Sequence, residues 1–223
     1  MACLIVVDFD GTITELDTQD GLIERHAPEA YAEAERGLAE GRLTLRECMR
    51  MEFAPVRGDH DAIVMETVEA AHVRPGFGEF VKAMEAAGNR LVIVSGGFES
   101  VIRPVLERVG AAHLPVIAHE FRITPEGTTI DFRADAPCDV CGEECKRAVV
   151  AELRDGLPVV YIGDGYSDRC AALAADVRFA RRFLARDLEE AGVRYTPFDD
   201  FHTIREALLG VDTSRVPTPS EDR

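Results

Sequence analysis

Short apolar runs alternate with segments of helical periodicity along most of this chain. Between the apolar runs, apolar residues recur at i, i+3, i+4 and i+7, which is the spacing of a helix face that packs on a core. Alternating strands and helices are typical of a parallel sheet covered on both faces, so the pattern predicts an α/β fold. The four predicted sheet strands are Cys3–Val7, Arg90–Val94, Pro115–Ala118 and Pro158–Ile162.

Two of the predicted helices can be bounded from the sequence. One carries its apolar face on Phe77–Met84 and ends near Gly88, and the next carries it on Val101–Val109 and ends at Gly110. Glycine suits the left-handed position that closes a helix. Pro104 lies inside the second helix, so it should either kink this helix or confine it to a late start.

Residues 16–74 differ from the rest, because they contain helix signals and no convincing strand. Asp17 and Asp20 mark one helix start, and Thr44 with Glu47 forms a capping box at another. This segment is therefore predicted to be an all-helical insert. Placed directly after the loop that follows the first strand, it would cover that loop as a lid.

The remaining segments complete the predicted organisation. Glu120–Phe132 alternates apolar and polar residues around Pro125–Gly127, which predicts a β-hairpin. The end of the chain has turn formers and charges but little to bury, so we expect disorder there. The predicted parts are an α/β core of residues 1–15 and 75–212, a helical insert of residues 16–74, and a disordered tail of residues 213–223.

Composition and charge narrow the choice of partners. Of the 223 residues, 46% are hydrophobic and 30% are charged, and the formal net charge is −16. This charge disfavours nucleic acid and anionic membranes as partners, because binding to both depends on basic patches. No apolar run approaches the ~20 residues that span a bilayer. A small molecule is the expected partner, and the charge is compatible with a monomer or a homodimer.

The beginning of the chain predicts a core strand and lacks the basic segment of a signal peptide. Six cysteines at uneven spacing are then expected to be reduced thiols rather than a disulfide framework. The expected location is the cytoplasm.

Asp8-Phe9-Asp10-Gly11-Thr12 follows the first apolar strand directly. Carboxylates two residues apart on an extended backbone point the same way, and the carboxyl end of a strand is where open α/β sheets bind ligands. Burying both without a cation would force one of them to stay protonated. The motif therefore predicts a divalent metal site or a role in proton transfer.

Three further features fall at strand ends or helix starts. Ser95-Gly96-Gly97 follows the second strand and offers a hydroxyl and unobstructed N–H groups to an oxyanion. Lys146, one of only two lysines, lies at the start of a helix predicted over Glu143–Leu153. Asp164 and Asp168 follow the last predicted strand in a glycine-containing loop.

Taken in order, these features resemble the four motifs of the haloacid dehalogenase (HAD) superfamily of phosphotransferases. The matching positions are Asp8–Thr12, Ser95, Lys146, and Asp164 with Asp168. The resemblance implies a Rossmann-like core with a small all-helical cap inserted after the first strand. The insert position resembles the phosphoserine-phosphatase-like branch, with its C1-type cap. The contexts of the first and third motifs are similar to phosphoethanolamine/phosphocholine phosphatases and the methylthiopentenyl-phosphate phosphatase of methionine salvage.

The resemblance implies a Mg²⁺-dependent phosphatase that acts on a small phosphorylated metabolite through an aspartyl-phosphate. Asp8 would be the nucleophile, and Asp10 would protonate the leaving group and then deprotonate water. The Asp8 carboxylate, the Asp10 main-chain carbonyl and Asp164 would hold Mg²⁺. An acid at Asp10 favours phosphoryl transfer over dehalogenation, since halide needs no proton donor.

The resemblance also assigns roles around the phosphoryl group. Ser95, the Gly96 N–H and Lys146 would neutralise its oxygens, and Asp168 would orient Lys146. The substrate stays open among phosphoserine, phosphoethanolamine or phosphocholine, and a methionine-salvage phosphate. Ser167 stands where phosphoserine phosphatases usually carry Asn, and either Asp17 or Asp20 could hold a substrate amine.

Two other functions are compatible with parts of the pattern. A phosphotransferase that uses an acceptor hydroxyl would share every catalytic residue. A receiver-like signalling domain also combines acidic strand ends with Lys, but it has only ~120 residues and no helical insert. An intact Asp10 argues against a protein that only binds phosphate, because binding needs no proton shuttle.

Cys138, Cys141 and Cys145 immediately precede Lys146 and have a spacing compatible with structural zinc. Zinc usually takes four ligands, and the sequence leaves the fourth open among Asp135, Asp139, a distant His and a loop from the cap. A redox-sensitive pair and a set of partly buried thiols are the alternatives.

Overall fold

The computed structural model describes residues 2–133, 138, 140–142 and 145–210. Within these residues the strands are β1 Leu4–Val7, β2 Arg90–Phe98, β3 Val116–Ile123, β4 Thr128–Asp131, β5 Val159–Gly163, β6 Val177–Ala180 and β7 Thr196–Pro197. The helices are α1 Thr18–His26, α2 Pro28–Ala39, α3 Leu45–Phe53, α4 His60–Ala70, α5 Phe77–Ala86, α6 Glu99–Arg108, α7 Lys146–Leu153, α8 Arg169–Ala174, α9 Arg182–Glu190 and α10 Phe201–Gly210. The tail predicted to be disordered lies outside the described residues.

One sheet contains the described strands in the order β4-β3-β2-β1-β5-β6-β7. All neighbouring pairs are parallel except β3 and β4. Every residue of β1 is fully buried, which explains its uninterrupted apolar sequence. Because the chain order reverses at β1, with β2 on one side and β5 on the other, the loops after these three strands meet at one edge. The α/β fold with a largely parallel sheet is confirmed.

The strands beyond the centre of the sheet differ from the prediction. The predicted third strand and the first arm of the hairpin form a single strand, β3, which pairs with β2 and then continues to β4. The antiparallel hairpin itself is confirmed. The short strands β6 and β7 were not predicted, because four residues and two residues carry too little periodicity to be recognised.

Two helix starts also differ. The helix that contains Pro104 begins at Glu99, five positions before the proline, so the predicted late start is wrong. The helix predicted from Glu143 begins at Lys146 instead, because Cys145 has extended backbone angles and serves as the N-cap residue. Glu143 lies outside the described residues.

The segment predicted as an insert contains α1 to α4. Asp17 accepts hydrogen bonds from the N–H groups of Gln19 and Asp20, and Thr44 and Glu47 form both bonds of a capping box, as predicted. Its separation from the core as a cap stays a prediction.

The apolar core passes from this segment into the sheet. At the end of α3, Phe53 packs edge-on against Phe98, with ring centroids 4.9 Å apart, and against Phe121 at 5.8 Å. The last residue of β2 is thus buried under α3. Among the described helices, none combines the length and the apolar character needed to span a bilayer.

Candidate active site

The loops after β1 and β5 approach each other closely at the edge of the sheet. Gly11 has φ +70°, and a Cβ at this position would lie 2.3 Å from Oδ2 of Asp164. Only glycine allows both this backbone conformation and this approach. The Thr12 hydroxyl donates to Oδ1 of Asp164 at 3.2 Å, which ties the two loops together.

Lys146 connects the first motif to the last. It is the first residue of α7 and is buried, and its Nζ donates to Oδ1 of Asp8 and, at 2.7 Å, to Oδ1 of Asp168. Carboxylate oxygens of Asp8, Asp164 and Asp168 lie within 4.8 Å of one another. The structure therefore gathers four of the predicted site residues into one buried cluster.

Asp168 is fully buried and saturated with donors. Besides Lys146, the Tyr161 hydroxyl donates to Oδ1 at 2.7 Å. The N–H groups of Asp164 and Gly165 donate to Oδ2 at 3.0 and 2.9 Å. With every lone-pair direction used in this way, Asp168 holds Lys146 in place.

Asp10 lies beside this cluster with its two oxygens in different environments. Its Oδ1 accepts hydrogen bonds from the N–H and the hydroxyl of Thr18, at 2.9 and 2.6 Å. Its Oδ2 is buried and has no hydrogen-bond partner in the described residues. Burial, reinforced by the charge of Asp17, raises the pKa of Asp10 to about 8. A proton on Asp10 therefore resides on Oδ2, the oxygen that lacks a donor.

Ser95 reaches the same place through a break in the sheet register. Four steps along β2, from Val94 to Phe98, match two steps along β3, so Ser95–Gly97 bulge out of the ladder. This segment belongs to β2 and is not the loop that the sequence predicts. A Cβ on Gly97 would lie 2.6 Å from Oδ2 of Asp10 and 3.2 Å from Oγ of Ser95. The hydroxyl and the acid thus face each other across Gly97.

The charges in the cluster are unbalanced. Burial, with the nearby Asp168, raises the pKa of Asp8 well above its usual range, although Lys146 opposes the shift. The same two causes raise the pKa of Asp164 to about 6. Burial disfavours the charged form of Lys146, but Asp168 and Asp8 outweigh it and raise its pKa. The site holds more acid than its lysine neutralises.

Several residues that support the site were not recognised in the sequence. Tyr161 was recognised only as part of an apolar strand, and Thr18 was not recognised at all, although it lies beside the helix start marked by Asp17. Arg182 lies 3.4 Å from Oδ2 of Asp164 and belongs to no motif. Arg74 is buried under the first loop and donates to the carbonyl oxygens of Gly11, Thr12, Thr14 and Asp199 at 2.8–3.1 Å.

Replacement of Arg74 by methionine is expected to destabilise the fold by about 3 kcal/mol, because buried carbonyl oxygens of the loop after β1 lose their donor. Urea denaturation followed by circular dichroism measures this loss. The exposed Arg36, which pairs with Glu33 on the surface of α2, is the matched control, and Arg36→Met should leave the midpoint unchanged. Equal midpoints for the two variants would contradict a structural role for Arg74.

The structure also brings the predicted cysteines together. Sulfur atoms of Cys138, Cys141 and Cys145 lie within 4.8 Å of one another and of a fourth, that of Cys170 in α8. Cys170 is far from the others in sequence, and its position in a short apolar helix gave no signal of a ligand.

Fold and site together define a Rossmann-like α/β protein whose acidic side chains meet around one lysine at the carboxyl edge of a mostly parallel sheet. The model of the haloacid dehalogenase-like hydrolase family matches residues 5–173. The chain belongs to this family.

Named relatives narrow the class further. The 2-hydroxy-3-keto-5-methylthiopentenyl-1-phosphate phosphatase of Bacillus cereus (strain ZK / E33L) is 30% identical over 220 residues, which cover 95% of this chain and 99% of that protein. The bifunctional enzyme MtnB/MtnX of Bacillus licheniformis is 33% identical over 215 residues, 92% of this chain, which spans about half (49%) of that longer protein. The chain is a phosphatase of its family.

A solved structure supports the fold independently. A phospho-aspartyl intermediate analogue of phosphoserine phosphatase matches with a TM-score of 0.69 and 20% identity, covering 95% of this chain and 99% of that one. At this identity the likeness establishes the architecture alone.

Proposed function

We propose that this protein is a Mg²⁺-dependent phosphatase that hydrolyses a small phosphomonoester through an aspartyl-phosphate on Asp8. The observation that carries the proposal is the buried contact of Lys146 with both Asp8 and Asp168, beside Asp164. A nucleophile, a cation and a further carboxylate within one cluster are the parts that phosphoryl transfer needs.

The donor set fits magnesium. Asp168 is saturated by its own hydrogen bonds, so Asp8 and Asp164 are the carboxylates that would hold the ion, together with the Asp10 main-chain carbonyl. These are oxygen ligands only, and the cluster carries excess negative charge, as a hard divalent cation requires. When bound, Mg²⁺ neutralises charge on the phosphoryl oxygens and orients the group for in-line attack.

The side chains account for both half-reactions. Asp8 attacks phosphorus and the bond to the leaving oxygen breaks, while Asp10 delivers its proton from Oδ2 to that oxygen. The resulting carboxylate of Asp10 then takes a proton from water, which attacks the aspartyl-phosphate and releases inorganic phosphate. Thr18 keeps Asp10 in one orientation through both steps, because it donates only to Oδ1.

The phosphoryl oxygens would be held by Ser95, the Gly96 N–H and Lys146. Among the described residues, no atom lies within 4 Å of the place that a Cβ on Gly96 would take, which supports close approach of an anion to this part of the backbone. Lys146 supplies a positive charge that burial keeps effective during transfer.

For the substrate, we favour the phosphate that the relatives' names specify, a methylthiopentenyl phosphate, over phosphoserine. The named relative matches over 95% of this chain at 30% identity, whereas the phosphoserine phosphatase structure shares 20% and supports only the fold. Phosphoserine, phosphoethanolamine and phosphocholine are the competitors. We expect kcat/KM to be highest for the methylthiopentenyl phosphate when all four phosphates are assayed. A higher kcat/KM for any of the three amine-bearing phosphates would overturn this choice of substrate.

Metal removal tests the proposed chemistry. Protein dialysed exhaustively against buffer without Mg²⁺ or chelator should lose hydrolysis of p-nitrophenyl phosphate, and added Mg²⁺ should restore it. Zn²⁺ added alone is the matched control and should not restore it. Full activity in metal-free buffer would refute the metal dependence. A second assay, with glycerol added as an acceptor, separates hydrolysis from phosphoryl transfer to a hydroxyl. Hydrolysis yields inorganic phosphate, whereas transfer yields glycerol phosphate.

A further inference from the structure

Four cysteine thiols converge on one place beside the start of α7, and none of them belongs to the acidic cluster. Sulfur atoms of Cys138, Cys141, Cys145 and Cys170 all lie within 4.8 Å of one another. A tetrahedral zinc ion with Zn–S bonds of about 2.3 Å holds its sulfur atoms about 3.8 Å apart. The cluster therefore already has nearly the dimensions of a four-thiolate site.

The local backbone presents two of the sulfurs side by side. The N–H of Gly142 donates to the carbonyl oxygen of Cys138 at 2.8 Å, and Gly142 has φ +77°, so the chain turns tightly at this point. The N–H of Val140 points at Sγ of Cys138, at 3.4 Å. An amide donor directed at sulfur favours the thiolate, which is the form that binds metal.

We propose that Cys138, Cys141, Cys145 and Cys170 bind one structural Zn²⁺ ion. Four thiolates select a soft, tetrahedral ion, and a complete set of protein ligands leaves no open position for catalysis. Each thiol releases its proton to solvent when it binds the metal. Cys170 supplies the fourth ligand that the sequence left open.

The ion cross-links two segments that carry active-site residues. Cys145 immediately precedes Lys146, and Cys170 follows Asp168 by two positions. Lys146 and Asp168 are themselves joined by the 2.7 Å contact between Nζ of the lysine and Oδ1 of the aspartate. The zinc site therefore fastens the start of α7 to α8, and its thiolate ligands are distinct from the carboxylates of the magnesium site.

The test is the metal content of the full-length protein, purified under reducing conditions without added chelator. Elemental analysis should find one zinc per chain. Replacement by Co²⁺ should give the sulfur-to-cobalt charge-transfer bands and the intense visible bands of a tetrahedral thiolate site. Both readouts are independent of phosphatase activity, so failure of the zinc proposal and failure of the proposed function are distinguishable.

Two variants locate the ligands. Cys170→Ser removes the ligand that the sequence did not reveal. Cys141→Ser removes a second ligand at an exposed position, where the substitution itself does not disturb packing. Each should weaken zinc binding at least ~10-fold in competition with a chromogenic chelator. Cys48→Ser changes a buried cysteine outside the cluster and should keep the zinc.

Specific results would overturn the proposal. These are wild-type protein without zinc even after reconstitution with Zn²⁺, or with iron in its place. A disulfide that forms within the cluster in the presence of zinc would do the same. Wild-type zinc affinity in a folded Cys170→Ser protein would remove Cys170 from the ligand set.

Discussion

Replacing Asp8 with asparagine is expected to lower kcat for p-nitrophenyl phosphate by at least ~10³-fold. A carboxamide does not attack phosphorus under these conditions, and it gives Lys146 no negative partner at the position of Oδ1. Such a loss corresponds to about 4 kcal/mol of activation free energy. The residual rate measures what the rest of the site contributes by binding alone.

The folded state should survive this change. Burial and the nearby Asp168 already disfavour a charge on Asp8 in the metal-free protein, so a neutral isostere relieves repulsion. The melting temperature of Asp8→Asn without Mg²⁺ should therefore equal or exceed that of the wild type. Asp59→Asn, at an exposed helix cap where asparagine serves equally well, is the control for the substitution itself. Normal turnover by Asp8→Asn would remove Asp8 as the nucleophile.

The centre of the fold follows from the sequence because its strands are buried on both faces. β1 and β5 are continuous apolar runs, and no other element type accounts for runs this short next to glycine-rich loops. The short strands β6 and β7 form instead because they pair with neighbouring strands of the sheet. Val177–Ala180 becomes a strand by pairing with β5, and Thr196–Pro197 by pairing with β6. Such long-range pairing leaves no local pattern in the sequence.

The same distinction applies to the site. Lys146 and Asp168 are found through the order of four motifs, and the structure places them in contact. Arg74 and Tyr161 act through main-chain carbonyls or through another side chain, and no residue spacing signals such roles. Cys170 is likewise a ligand candidate only because α8 packs beside α7. Residues that support a site can be recognised only once the packing is known, whereas residues proposed to carry the chemistry can be recognised from sequence motifs.

Asp10 is where the predicted insert meets the chemistry. Thr18, the first residue of α1, donates both of its hydrogen bonds to the oxygen of Asp10 that faces away from Gly97. A change in the position of α1 would therefore alter the orientation of the acid. The two proton transfers proposed for Asp10 can be measured separately with substrates whose leaving groups differ in their need for a proton.

Asp10→Asn is expected to lower steady-state kcat by at least ~10³-fold, but in a way that depends on the substrate. p-Nitrophenolate leaves without a proton, so Asp8 is still phosphorylated and only hydrolysis of the intermediate is blocked. Rapid-quench or stopped-flow measurement should then show a burst of p-nitrophenolate approaching one per active site, followed by slow turnover.

With an alkyl phosphate such as glycerol phosphate, the same variant should show no burst, because expulsion of the alkoxide needs the missing proton. Asparagine retains an oxygen that accepts both Thr18 hydrogen bonds, so the loss reflects proton transfer rather than a displaced side chain. Equal, burst-free losses with both substrates would place the role of Asp10 outside acid–base chemistry. A burst with p-nitrophenyl phosphate alone would assign to one residue the proton given to the leaving group and the proton taken from water.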